Sequence, residues 1–352
     1  MALADHLEAG TAAGIISAEQ AVRLAHFIAE RDAAGEDPGA DAEAVRFARG
    51  FHDVFLTIGL AILLVGVTLS AGLVVGNSAG FIGAAAAWAL AEYYARRRRL
   101  VLPSIALAAG FALMVAVSAG DLAPALIGGG FVETGEGRPW FLLLGALAGL
   151  AAAAGFFARF RLPFAVGIIA ATASATVGAA AAVAWPEAIE DLARPILMIC
   201  GLAVFIAAMA NDLADPARTT LSADNAFWLH LVAAPLIVHS AVGFMIADGV
   251  DMPLADALAV FAVIGAVAIV ALVVDRRALL VAGLAYLGVA IAVVVREAEA
   301  DTGSAFAITL LFLGAAVVAL GTGWRPARRA VVAAVVPAVL ARRLPAIGAS
   351  PA

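Results

Sequence analysis

His239 is the side chain of this sequence best placed to do chemistry in an apolar setting. It follows Pro235 by four residues and precedes Ser240, in the middle of the apolar run 226–247. An imidazole at such depth can relay protons or bind a polar solute when it faces a bundle interior. The plainer role is a hydrogen bond to a neighbouring helix, with Pro235 only kinking its own. His230 lies nine residues earlier, half a turn out of phase. The two rings cannot share a helix face, so they do not read as a metal pair, and His230 beside Trp228 reads as interfacial.

Thr172, Ser174 and Thr176 form a second polar group, inside the apolar run 163–185. Their hydroxyls could line a substrate groove, or simply bond across a helix contact. Small residues favour close packing here: Gly145 and Gly149 make a GxxxG in the run before, and Gly167, Ala171, Ala175 and Ala179 share one face, with Gly178 nearby. This predicts a packed centre around those two runs. Glu92 stands four residues before Arg96, and a structural ion pair is the simplest use of both.

No motif for hydrolysis or nucleotide binding stands in the context it needs. Gly128-Gly129-Gly130 lacks a following Lys-Ser/Thr, HExxH does not occur, and the GxSxG spacing of Gly76-Asn77-Ser78-Ala79-Gly80 joins two apolar runs rather than a strand and a helix. The single cysteine, Cys200, allows no intrachain disulfide and no thiolate metal site. No cofactor, catalytic residue or metal ligand is read. With a net charge of -6, the chain has no general affinity for nucleic acid.

The elements that must position these residues are apolar helices. The chain is 64% hydrophobic with a mean hydropathy of +1.03, well above the ~45–50% apolar content of soluble domains. Ten apolar runs follow one another, at 54–76, 78–95, 100–118, 140–160, 163–185, 195–210, 226–247, 255–274, 279–295 and 305–323. Each is about long enough to cross a ~30 Å hydrocarbon core as a helix. The expected fold is therefore all-α: a polytopic bundle over 51–324, a cytoplasmic helical hairpin and linker over 1–50, and an interfacial helix and tail over 325–352.

Charge placement orients the bundle. All 21 basic residues are arginines. Alternate loops hold Asp121, Glu133, Glu136, Glu187, Glu190, Asp191, Asp248, Asp251, Glu297, Glu299 and Asp301, with Asp256 just beyond one of them. Only Arg138, Arg194 and Arg296 oppose these acids. The other side carries Arg46, Arg49, Arg96, Arg97, Arg98, Arg99, Arg159, Arg161, Arg218, Arg276, Arg277, Arg325, Arg328, Arg329, Arg342 and Arg343. The positive-inside rule puts that side, and both termini, in the cytoplasm of a bacterial inner membrane. Arg96 to Arg99, Arg328 and Arg329 are expected to set topology and touch anionic lipid headgroups. The short apolar run 330–341 between arginines is expected to lie in the interface as its own helix.

The soluble N-terminus has one sharp signal. Ser17-Ala18-Glu19-Gln20 is a capping box, opening a helix to about Arg31 with Leu24, Phe27 and Ile28 as its apolar stripe. The passage Gly14-Ile-Ile-Ser-Ala-Glu-Gln20, followed by many short apolar spans, resembles the bacterial DUF2157-type membrane proteins. That family begins with a cytoplasmic G-x-I-[ST]-x-E-Q helix pair. The Asn-Trp that often follows its first span is replaced here by Val75-Gly76-Asn77-Ser78. The resemblance implies an architecture and supplies no activity.

Two function classes remain. One is a non-enzymatic membrane protein whose hairpin, residues 1–50, docks a protein partner or senses a state. The other is a secondary transporter of a small solute, built from two inverted five-helix repeats.

Overall fold

The computed structural model describes residues 3–33, 51–122, 138–216, 218, 220–243, 245, 253–297 and 302–337. Among them every regular element is helical, with no strand. The chain divides into two compact units, residues 1–49 with 346–352, and residues 50–345.

In the first unit α1 (Leu3–Ala12) turns through Gly14, at φ +70°, into α2 (Ala18–Ala33). Both capping-box bonds are made. Gln20 N–H donates to Ser17 Oγ at 3.1 Å, and Ser17 N–H donates to Gln20 Oε1 at 2.8 Å. Two otherwise unpaired donors are satisfied, which fixes the start of α2.

The second unit holds eight helical stretches long and apolar enough to cross a membrane. The first, Phe51–Arg97, is one of these by length but is folded back on itself. In it α3 (Phe51–Val75) ends at Gly76, whose φ of +59° reverses the chain into α4 (Ala79–Ala91). Leu60 and Leu64 of α3 then share a core with Ala87 and Ala91 of α4. A π-turn, Glu92–Arg97, closes α4. The remaining helices are α5 (Val101–Asp121), α6 (Arg138–Phe160), α7 (Pro163–Ala184), α8 (Ile189–Ala214), α9 (Leu221–Val242), α10 (Leu254–Val274), α11 (Ala278–Val281), α12 (Gly283–Glu297) and α13 (Thr302–Val335). Of α11 and α12, only the short stretch Tyr286–Arg296 is recognisably apolar helix, too short to count among the eight.

Tight turns do the reversing at one end. Arg99, Arg161, Arg218 and Asp275 all sit in the left-handed region, with φ between +53° and +61°. Such a residue after a helix stops it and lets the last carbonyls be capped. Pro163 then opens α7, where its missing N–H costs nothing.

Three apolar cores result. Phe156 at the centre of one is ringed by Trp88, Phe111 and Phe160, at centroid distances of 6.0, 5.8 and 4.4 Å. A second joins Val238 and Val242 of α9, Val260 and Ile264 of α10, and Val293 of α12. The third joins Ala234 of α9, Ala271 and Leu272 of α10, Leu279 of α11 and Trp324 of α13. The bundle's outer surface is apolar: Phe55, Ile58, Ile62, Leu69 and Leu73 of α3 are all exposed. A surface of that kind suits hydrocarbon, not water.

The C-terminal helix differs from expectation. The run from Ala330 is no separate helix, because α13 continues unbroken through Trp324 and Pro326 to Val335. Trp324, Arg328 and Val332, spaced by four, are buried against the bundle, and that packing carries the helix onward. Residues 338–341 of the run lie outside the described residues.

Candidate functional site

Charge buried among the helices is concentrated where α8, α9, α10, α11 and α13 meet. Asp212 lies in the last turn of α8. Its run was expected to end at 210, but the helix continues to Ala214 and carries the carboxylate inward, where it is 6% exposed. From α9, His230 brings Nε2 to 2.8 Å from Asp212 Oδ2. From the turn before α11, Arg276 reaches Asp212 Oδ1 with Nε at 3.1 Å and with Nη2 at closer range. Arg276 Nη2 also donates to the Ala223 carbonyl at 3.0 Å, tying the start of α9 to the same point.

A carboxylate bridged to a guanidinium accepts only, so His230 donates through Nε2–H. Its Nδ1 is buried and has no hydrogen-bond partner among the described residues. The ring is fully buried and meets Phe205 edge-on, 5.3 Å between centroids.

A second carboxylate stands beside the first. Asp275, the left-handed residue closing α10, accepts Trp324 Nε1–H at 2.8 Å and Arg218 Nη1 at 3.2 Å. Arg328 Nε lies 3.5 Å from Asp275 Oδ1 and donates to the Leu272 carbonyl at 3.2 Å. Arg218 also grips the Asp275 and Val274 carbonyls, at 2.8 and 3.2 Å. Asp215 accepts both the N–H and the hydroxyl of Thr220, at 2.7 and 2.8 Å, shaping the α8–α9 turn. Asp212 therefore pairs with Arg276, and Asp275 with Arg218 and Arg328. Pairing and multiple hydrogen bonds are what make buried charge tolerable.

Glu92 forms a smaller link at the same end of the bundle. It holds Arg159 of α6 bidentately, at 2.7 and 3.0 Å, and Arg96 more loosely at 3.5 Å. The local pair expected from spacing is present, but the firmer partner comes from another helix. These contacts, with Phe164 on Trp228 at 4.5 Å, gather the arginine-bearing turns at one end.

The residues singled out from the sequence lie elsewhere. His239 sits in the last turn of α9, exposed, with Nδ1 2.6 Å from Tyr286 Oη. Ser240 is buried and donates to the Ile237 carbonyl of its own helix at 2.8 Å. Thr172, Ser174 and Thr176 likewise donate back to Ile168, Ala170 and Thr172, each at 2.8 Å. Hydroxyls turned onto their own helix do not form one wall with His239.

Among the glycines, Gly145 and Gly149 pack on α5. A Cβ on Gly145 would lie 2.8 Å from the Ala116 carbonyl, and one on Gly149 3.0 Å from Ala116 Cβ. Gly167 meets Trp228 of α9, whereas Gly178 has open space, and Ala171 and Ala175 are exposed. Of the arginines expected to touch lipid, Arg96 to Arg99 and Arg329 are exposed, but Arg328 is 4% exposed and bound within the network. His230, expected at the interface, is interior. No family model matches the chain, and no curated protein or solved structure matches it either.

Proposed function

We propose that this chain is a non-enzymatic, ten-span protein of a bacterial inner membrane, of the DUF2157 type, whose N-terminal hairpin docks a partner on the cytoplasmic side. The observation carrying this reading is the hairpin itself. It is a unit apart from the bundle, and Ile15, Val22 and Leu24 stay 78%, 69% and 41% exposed. Helices that short gain little by exposing apolar residues to water unless something covers them. Support for the orientation comes from the arginine-bearing turns lying together at one end. Support for ten spans comes from α3 and α4 running antiparallel and from α11 and α12 together filling the interval between α10 and α13.

The test compares full-length protein with a Val22→Arg/Leu24→Arg variant in native membranes, using in-cell cross-linking. A cross-linked adduct specific to the intact stripe supports docking. Identical adducts from both forms contradict it.

Secondary transport is the second reading, favoured by one observation. Asp212, His230 and Arg276 are ionisable groups buried inside the helical bundle, the kind of group that marks ion paths. Solute-driven currents in proteoliposomes that disappear with Asp212→Asn would favour it over docking.

A further inference from the structure

Some arginines at the crowded end of the bundle are held by carboxylates and others are not. Arg96, Arg159, Arg218, Arg276 and Arg328 are held by Glu92, Asp212 and Asp275. Arg277, Arg325 and Arg329 are exposed, and none of them meets a carboxylate among the described residues.

Two of these, Arg325 and Arg329, are on the helix that carries Trp324, and the third lies over the Trp324 ring. Arg277 begins the turn into α11, and its guanidinium lies over the Trp324 ring at 5.4 Å from the centroid. Trp324 is itself immobilised, 4% exposed, with its Nε1–H bound to Asp275. Arg325 and Arg329 are one turn apart on α13, along the face beside the buried Trp324–Arg328 stripe. Asp275 cannot serve Arg277, because Trp324, Arg218 and Arg328 already occupy it. Among the described residues, Arg277, Arg325 and Arg329 thus add three positive charges, not met by a carboxylate, beside the buried Trp324–Asp275 contact.

We propose that Arg277, Arg325 and Arg329 form a binding site for the phosphodiester headgroup of an anionic phospholipid. Guanidinium matches phosphate oxygens in a planar, bidentate way, and stacking on an indole keeps Arg277 oriented before the anion arrives. The site lies beside the ends of apolar helices, at the level where a lipid phosphate sits. It differs from the expected lipid contacts in leaving out Arg328, which faces inward. The proposal rests on the membrane reading of the chain.

The experiment uses full-length protein purified in detergent and reconstituted in nanodiscs of phosphatidylcholine with or without phosphatidylglycerol. Lipids retained after delipidation are counted by native mass spectrometry. Wild type is expected to retain phosphatidylglycerol at least tenfold over phosphatidylcholine, on the order of fivefold per arginine being reasonable at a membrane surface. The R277Q/R325Q/R329Q variant is expected to lose that preference, and Arg96→Gln, whose partner is Glu92, to keep it. If the triple variant melts lower in lipid-free detergent, R325Q/R329Q gives the answer, since both side chains lie on the exposed face. Undiminished preference in that double variant and in R277Q would overturn the site. So would displacement of the lipid by millimolar inorganic phosphate, which would make the ligand a soluble anion. Recovery of the chain outside the membrane fraction would instead defeat the membrane reading, a result seen before any lipid is counted.

Discussion

Asp212 has the most at stake of any side chain here, because it is the shared partner of His230 on α9 and of Arg276 in the turn before α11. Replacing it with Asn leaves Arg276 buried without a counter-charge, which costs about 3–5 kcal/mol in comparable pairs. Asp212→Asn is therefore expected to lower the melting temperature in detergent sharply, by circular dichroism, while Arg96→Gln leaves it nearly unchanged. His230 gives a graded companion. Gln can still donate toward Asp212, so His230→Gln should cost below about 1 kcal/mol, whereas Leu removes a donor from a buried carboxylate and should cost roughly 1–3 kcal/mol. Equal losses for Gln and Leu would mean that ring packing on Phe205, not the hydrogen bond, is what matters.

This centre was hard to read from sequence for a definite reason. Asp212 and Arg276 fall just outside the apolar runs, where charged residues are ordinarily solvated. His230 was weighed only against His239 on its own helix. The partners are 18 and 64 residues away from each other's positions in the chain, and no periodicity links them. His239 drew attention by its place in a run whose helix stops earlier, at Val242.

At the scale of elements, helix identity follows from apolar length, and the runs and helices correspond closely. The capping box of α2 was legible because its partners are three residues apart. Packing partners were less so, since a GxxxG names a close contact without naming the neighbour. Gly145 and Gly149 face α5, while Gly167, on the small-residue face of α7, meets Trp228 of α9. Gly80 and Gly83, which meet Ser118 and Thr68 on α5 and α3, drew no notice because small residues surround them. The contrast is measurable. Gly145→Ala pushes a methyl against a backbone carbonyl and is expected to cost about 1–3 kcal/mol. Gly178→Ala meets nothing within 4 Å and should be neutral or slightly stabilising. Equal melting of the two variants would show that the α5–α6 contact is looser than described. In α13, the extension past Pro326 was hidden because a proline and three arginines suggest a break, yet buried Trp324, Arg328 and Val332 hold the helix together.

For the whole molecule, the account is of an apolar helical bundle with its arginines gathered at one end and a separate helical hairpin. Deleting residues 1–45 is expected to leave a chain that still enters the membrane, because the first apolar helix keeps its flanking Arg46 and Arg49. Alkaline extraction of membranes checks this: the truncated chain should remain in the pellet, and its release would show that the hairpin is needed for insertion. The most direct measurement of the central claim is side-specific labelling in intact cells. On a Cys200→Ala background, single cysteines are placed at Arg277, on the arginine-rich end, and at Glu190, at the start of α8. An impermeant maleimide is predicted to label the Glu190 position in intact cells and the Arg277 position only after permeabilisation. Labelling of both positions in intact cells, or of Arg277 alone, would contradict a multi-pass bundle with its arginine-rich end in the cytoplasm.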